Sequence, residues 1–135
     1  MNLLLDTHIL IWMFLSTQKL SPRVAAALVA PENELWISPI TIWEILILTE
    51  KRRLALLPDP YTWLNAVFQN FPLSEAPLTI QVAFQSRMLK LVHQDPADRF
   101  LAATACTYNL VLITADRFLV DVPGLNTLFN ECPRA

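Results

Sequence analysis

Asp6, Glu44, Asp98 and Asp116 are the residues whose type and spacing point to chemistry. Asp6 closes the short apolar run Leu3-Leu4-Leu5, and Asp116 lies just beyond Leu110-Val111-Leu112-Ile113-Thr114. Both runs read as buried strands, and ligands of open α/β sheets bind beyond the carboxyl ends of strands. Glu44 stands among Ile42, Trp43, Ile45 and Leu46, about two helical turns past the Ser38-Pro39 cap signal. A carboxylate in such a stretch is costly to bury unless it is paired or bound to metal. Asp98 falls in the first turn of a helix opened by Asp95-Pro96. Four acids from four segments can therefore meet at one sheet edge. Without a cation they would repel one another and hold their protons to higher pH. A hard divalent ion resolves that conflict, because such ions take oxygen ligands and keep several waters. Once bound, it activates water and offsets charge on a phosphoryl group.

Other residues stand close to these four. Thr7 and Thr114 can orient carboxylates or metal-bound waters. Asp95 reads first as a helix cap, with a supporting role at the site second. Asp59 reads as a cap alone. Arg99 and Arg117 sit beside acids and are placed for phosphate or carboxylate contact. His8 follows Asp6-Thr7 and reads as a packing or helix-start residue. Lys51-Arg52-Arg53 reads as a solvated helix end, where cations suit the dipole. Trp12, Trp36, Trp43 and Trp63 lie in apolar stretches and read as core or partner contacts. His8 and His93 are the only histidines, and Cys106 and Cys132 match no metal or redox spacing, so zinc is not indicated. Both cysteines read as reduced and structural.

The elements that must position these residues alternate in type. Helices are expected over Ile9 to Leu15, Pro22 to about Ala30, from Pro39 to the Lys51 region, from Pro60 to about Phe71, over Leu78 to Leu91, and from Pro96 to about Tyr108. Strands are expected at 3–5, 35–37, within 72–77, at 110–114 and around 127–129. Asn109 suits the left-handed residue that ends a helix. Alternation of this kind means α/β with a mainly parallel sheet of four or five strands, in a single domain over residues 1–135.

Composition narrows the function. Hydrophobic residues make up 54% of the 135 residues, above the roughly 45–50% of an average domain, which implies a large core or a surface that a partner covers. The net charge of −2 provides no global attraction for nucleic acid, so local cations and metal would have to hold such a substrate. With Gly124 as the only glycine, glycine-rich phosphate loops are excluded. No apolar run is long enough to span a bilayer, and the N-terminus lacks the pattern of a signal peptide, so a cytoplasmic protein without a membrane partner is expected.

Leu4-Leu5-Asp6-Thr7-His8, Trp43-Glu44, Asp95-Pro96-Ala97-Asp98-Arg99 and Leu112-Ile113-Thr114-Ala115-Asp116 resemble, in order and position, the motifs of the PIN-domain family. The similarity is greatest to the VapC-like toxins of type II toxin–antitoxin systems. It implies a three-layer α/β/α sandwich and an endoribonuclease dependent on Mg²⁺ or Mn²⁺. It maps the acidic set onto Asp6, Glu44, Asp98 and Asp116, with Asp95 in the motif. It also implies an RNA substrate, a cognate antitoxin and a toxin homodimer. One departure is Asn109, where the family often has glycine. Asp6 and Asp98 are the first choice as direct ligands, with Asp116 on a second cation or a water and Glu44 completing the cluster. An alternative is a catalytically weak PIN-like protein that binds protein or RNA. A phosphatase would need an acid where His8 stands, and a receiver domain would need a paired acid and a late lysine that are missing.

Overall fold

The computed structural model describes residues 1–92 and 95–131. Five strands form one sheet: β1 (Asn2–Leu5), β2 (Glu34–Ile37), β3 (Leu73–Glu75), β4 (Val111–Thr114) and β5 (Thr127–Phe129). Every pairing is parallel, and the spatial order is β3-β2-β1-β4-β5. The central strands β1 and β4 are short apolar runs buried on both faces, as all-parallel sheets require, while the edge strand β3 is only partly buried. Successive side chains alternate between two cores. Leu3, Leu5 and Ile113 pack with Ile9, Val24, Ile45 and Leu64. Leu4 and Leu112 pack on the other side with Val82, Leu101, Ala102 and Ala105. Helices α1 (Thr7–Leu15), α2 (Pro22–Val29), α3 (Pro39–Glu50) and α4 (Pro60–Asn70) contribute to the first core, and α5 (Ile80–Met88) and α6 (Pro96–Tyr108) to the second. The result is the expected α/β/α sandwich.

Capping sets the helix boundaries. Ser21, Ser38, Asp59, Thr79 and Asp95 each accept a backbone N–H with the side chain, and all but Thr79 precede a proline at the first helical position. Asn109 ends α6 at φ 56°, ψ 48°, the left-handed geometry its type allows. Helix α1 starts at Thr7, two residues before the expected Ile9, because the Asp6 carboxylate caps it. Helix α5 is shorter than expected, Ile80–Met88 in place of 78–91, since Thr79 supplies its cap and Leu89 is already extended. Among the described residues no helix is long and apolar enough to cross a membrane. The Cys106 thiol is free, half-buried, pushed up in pKa by desolvation, and donates to the Gly124 carbonyl. His93 and Cys132 lie outside the described residues.

From β1 the chain winds outward through β2 to β3, then returns to lay β4 on the other side of β1. The order therefore reverses between β1 and β4, and a crevice opens beyond the carboxyl ends of those two strands.

Candidate metal centre

Asp6 and Asp116 flank that crevice. The Asp6 backbone N–H continues the ladder onto the Ile113 carbonyl (3.1 Å), so its carboxyl emerges where β1 ends. One carboxylate oxygen accepts the Thr7 N–H at 2.7 Å, and the other accepts the Thr114 hydroxyl at 2.7 Å. The Thr114 oxygen in turn accepts the Asp116 N–H at 3.0 Å, and Asp116 accepts from the Phe118 N–H at 2.9 Å. Thr114 thus fixes two acids from one buried position. Glu44, on the second turn of α3, is half-buried and accepts the Thr7 hydroxyl on Oε1. The Thr7 oxygen also stands 3.5 Å from that of Thr41, one turn before Glu44 on α3. Asp95 caps α6 by accepting the Ala97 N–H at 2.9 Å. Asp98 is partly buried in the first turn of that helix.

All five acids line one cavity of about 420 Å³, with Thr7, His8 and Trp12. Two of them hold their protons to higher pH, chiefly through burial. Burial drives the Asp6 carboxyl above its ordinary range, against the two hydrogen bonds it accepts and the nearby His8, and the Asp116 charge adds to the rise. Burial also raises Glu44, opposed by the Thr7 hydroxyl and reinforced by Asp6 and Asp95.

The donor set fits a hard divalent cation. Oxygen donors dominate it, five carboxylates and the Thr7 hydroxyl beside the single His8 imidazole, with no thiol at the cavity. Each Asp6 oxygen accepts one hydrogen bond and has a lone pair left for an ion. Among the described residues no three His, Cys, Asp or Glu side chains stand close enough to ligate one ion together. That arrangement suits an ion of the Mg²⁺ type, which takes one or two carboxylates directly and the remainder through water.

The structure corrects the reading of Arg99. Its guanidinium is buried and turned away from the cavity, donating to the carbonyls of Ser86 (3.0 Å), Leu89 (3.2 Å) and Leu91 (3.3 Å). These carbonyls belong to the end of α5 and the turn after it, where helical partners run out. Arg117 lies 4.8 Å from the Phe129 ring. Trp43 is 53% exposed, not core. Sequence reasoning missed Trp12 and Thr41. The signal was present, because Trp12 is four residues past His8 on α1, their rings 5.7 Å apart, and Thr41 is three before Glu44.

Thr114→Val is isosteric, removing the hydroxyl that Asp6 and Asp116 share. We expect Mn²⁺ affinity, measured by isothermal titration, to fall about 10- to 100-fold. An unchanged affinity would show that the acids hold their positions without it.

Comparison with known proteins bears on the family and the fold. The family model described as PIN domain matches residues 3–125. Ribonuclease VapC22 of Mycobacterium tuberculosis is 30% identical over 119 residues, which cover 87% of this chain and 89% of that protein. The structure of VapBC2 from Rickettsia felis bound to a promoter DNA fragment superposes with a TM-score of 0.73 at 19% identity, over 97% of this chain and 100% of that one. DNA-bound VapBC from Salmonella typhimurium gives a TM-score of 0.64 at 25% identity, over 96% and 98% of the two chains.

Proposed function

The chain belongs to the PIN-domain family, and on that premise we propose that it is a metal-dependent endoribonuclease acting as the toxin of a toxin–antitoxin pair. The observation that carries the reading is the convergence of Asp6, Glu44, Asp95, Asp98 and Asp116 on one cavity at the switch point of the sheet. Asp6 and Asp98 would hold Mg²⁺ or Mn²⁺. When bound, the ion supplies Lewis acidity that makes a water nucleophilic near neutral pH and offsets phosphoryl charge. Asp116, held by Thr114, would orient water or carry a second ion. Glu44, fixed through Oε1 by Thr7, would complete the acidic set at its other oxygen. Asp95 keeps the start of α6 in place and adds charge. The reading is supported by the ribonuclease name of the 30% identical relative.

An antitoxin as partner is supported by the VapBC assemblies among the structural neighbours. The surface agrees with a protein partner or a second copy. Ile80, Phe84 and Met88 recur every four residues along α5 and are 76%, 63% and 72% exposed. The reading places the protein in the cytoplasm, where RNA and antitoxin meet it.

Incubating the purified chain with single-stranded RNA and Mn²⁺ should yield internal cuts that chelation abolishes. Absence of cutting with either Mn²⁺ or Mg²⁺ would overturn the reading. Metal should also stabilise the fold. An ion present at 100 times its Kd adds about 2.7 kcal/mol, or roughly 10 °C in Tm for a chain of this size. Asp6 and Glu44 are raised in the folded state, so without metal their favourable contribution is complete below the unfolded-state values. It is lost as pH rises through the raised ones. Protons and metal compete for the same oxygens. The Mn²⁺-induced rise in Tm should therefore grow as pH climbs through and above the carboxylate range, and a shift independent of pH would count against binding at these acids.

A further inference from the structure

Three hollows meet at His8. The first is the acidic cavity, which Trp12 and Glu44 also line. A second, on the α3 side, keeps Glu44 and adds Trp43, Ile47, Lys51 and Arg53. A third, on the α1 side, keeps Trp12 and adds Lys19 and again Arg53. Adjoining at His8, they outline a groove whose cations stand on the α1–α3 flank, with Glu44 and Asp95 also lining the second hollow. Trp43 and Ile47 on α3 and Lys51 at its C-cap recur every four residues and lead away from Glu44. Lys51 is seven residues past Glu44, about 10 Å along the helix axis. Lys19 holds its ammonium 5.8 Å from the Trp12 ring. Lys19, Lys51 and Arg53 are exposed.

We propose that this flank is the track for single-stranded RNA, in which Lys51, Arg53 and Lys19 hold phosphates to one side of the scissile bond and Trp43 stacks on a base. The proposal rests on the hydrolytic reading of the acidic cavity and extends it to how substrate is held. The physical need is specific. A phosphate at the acids meets its counter-charge in the metal, but the neighbouring phosphates do not, and a chain of net charge −2 offers no general attraction. Cations beside the acids answer that need. A half-exposed tryptophan in the same groove supplies the sequence-tolerant stacking that unpaired bases accept and a closed duplex does not. The track also accounts for Lys51 and Arg53 more fully than a solvated helix end, because both cations face the hollow that contains Glu44.

The test is fluorescence anisotropy of a short labelled single-stranded RNA of mixed sequence. It is run in the Asp6→Asn background, so that the strand stays intact. The double variant Lys51→Ala/Arg53→Ala should bind about tenfold more weakly. Its plot of log Kd against log salt should flatten by about 1.4, the amount expected for two lost contacts to a single strand. Trp43→Ala should weaken binding about tenfold. Lys51→Arg should retain affinity, and Arg87→Ala on α5 should leave binding unchanged. In the active chain the groove variants should raise KM with kcat preserved. Wild-type affinity and salt slope in both groove variants, with cleavage intact, would overturn the track and leave the hydrolytic reading standing. Groove-dependent binding by a wild-type chain that cuts no RNA would support the track and remove the hydrolytic reading.

Discussion

Asp6→Asn is expected to abolish metal-dependent RNA cleavage, by about a thousandfold or more in kcat/KM, while the variant folds at least as stably as its parent. The two halves of that result have one cause. The aspartate is 7% exposed and carries a charge that its surroundings compensate only in part. The amide has the same shape. Its oxygen still accepts the Thr7 N–H, and its nitrogen meets the Thr114 oxygen, which has lone pairs for both that donor and the Asp116 N–H. What disappears is the anion. The proposed cation would thereby lose a direct ligand, and burial no longer opposes a charge. The sign with pH follows. Asp6 is raised in the folded state, so its penalty in the metal-free parent increases as pH rises through that raised value. The Tm of Asp6→Asn should therefore exceed that of the metal-free parent by a margin that widens toward neutral pH. Adding Mn²⁺ should lift the parent and leave the variant where it was. Cleavage at the parental rate by the purified variant would sink the assignment of Asp6. A collapse of Tm would instead mean that the carboxylate holds the β1–α1 junction together by its charge.

Much of this site was legible because local rules govern it. An aspartate after a buried strand and before a helical run caps the helix, and that cap fixes where its carboxyl points. Asp6 and Asp95 obey this rule, and Asn109 obeys the companion rule for helix ends. The strand-end position of Asp116 needed only the run before it. The order of the sheet was not legible, since periodicity carries no record of which strand neighbours which. The meeting of Asp6 with Asp116 across β1 and β4 is a consequence of that order. Trp43 was left between core and partner contact for a related reason. Apolar residues surround all of α3, so the sequence could not say which of them the core would take, and the core took Ile45. The shortfall in α5 belongs here too. Its apolar pattern extends past Met88, but Leu89 is already extended and its carbonyl accepts from a side chain of α6.

That side chain is Arg99, and Arg99→Ala is expected to cost about 4 kcal/mol of stability, a fall of roughly 14 °C in Tm. In sequence Arg99 is indistinguishable from a site residue, being adjacent to Asp98 in the block that carries the acids. Among the described residues its guanidinium donates to main-chain carbonyls of Ser86, Leu89 and Leu91 around the end of α5. Hydrogen bonds from a charged donor contribute about 1.5–3 kcal/mol each, and acceptors left buried without a partner add their own cost. Cavity water would recover part of the loss, which is why the expected total lies below the simple sum. Arg99→Lys should recover less than half of it, because an ammonium offers a point charge where the fork reaches several carbonyls at once. The helix dipole adds to the preference for a cation at this place. The effect on chemistry should be indirect. At a temperature where the variant is folded, the Mn²⁺ affinity of Arg99→Ala should stay within severalfold of the parent, whereas Asp6→Asn loses it outright. If Arg99→Ala instead melted like the parent but lost Mn²⁺ or RNA affinity, the guanidinium would belong to the site after all, and the carbonyl contacts would be incidental.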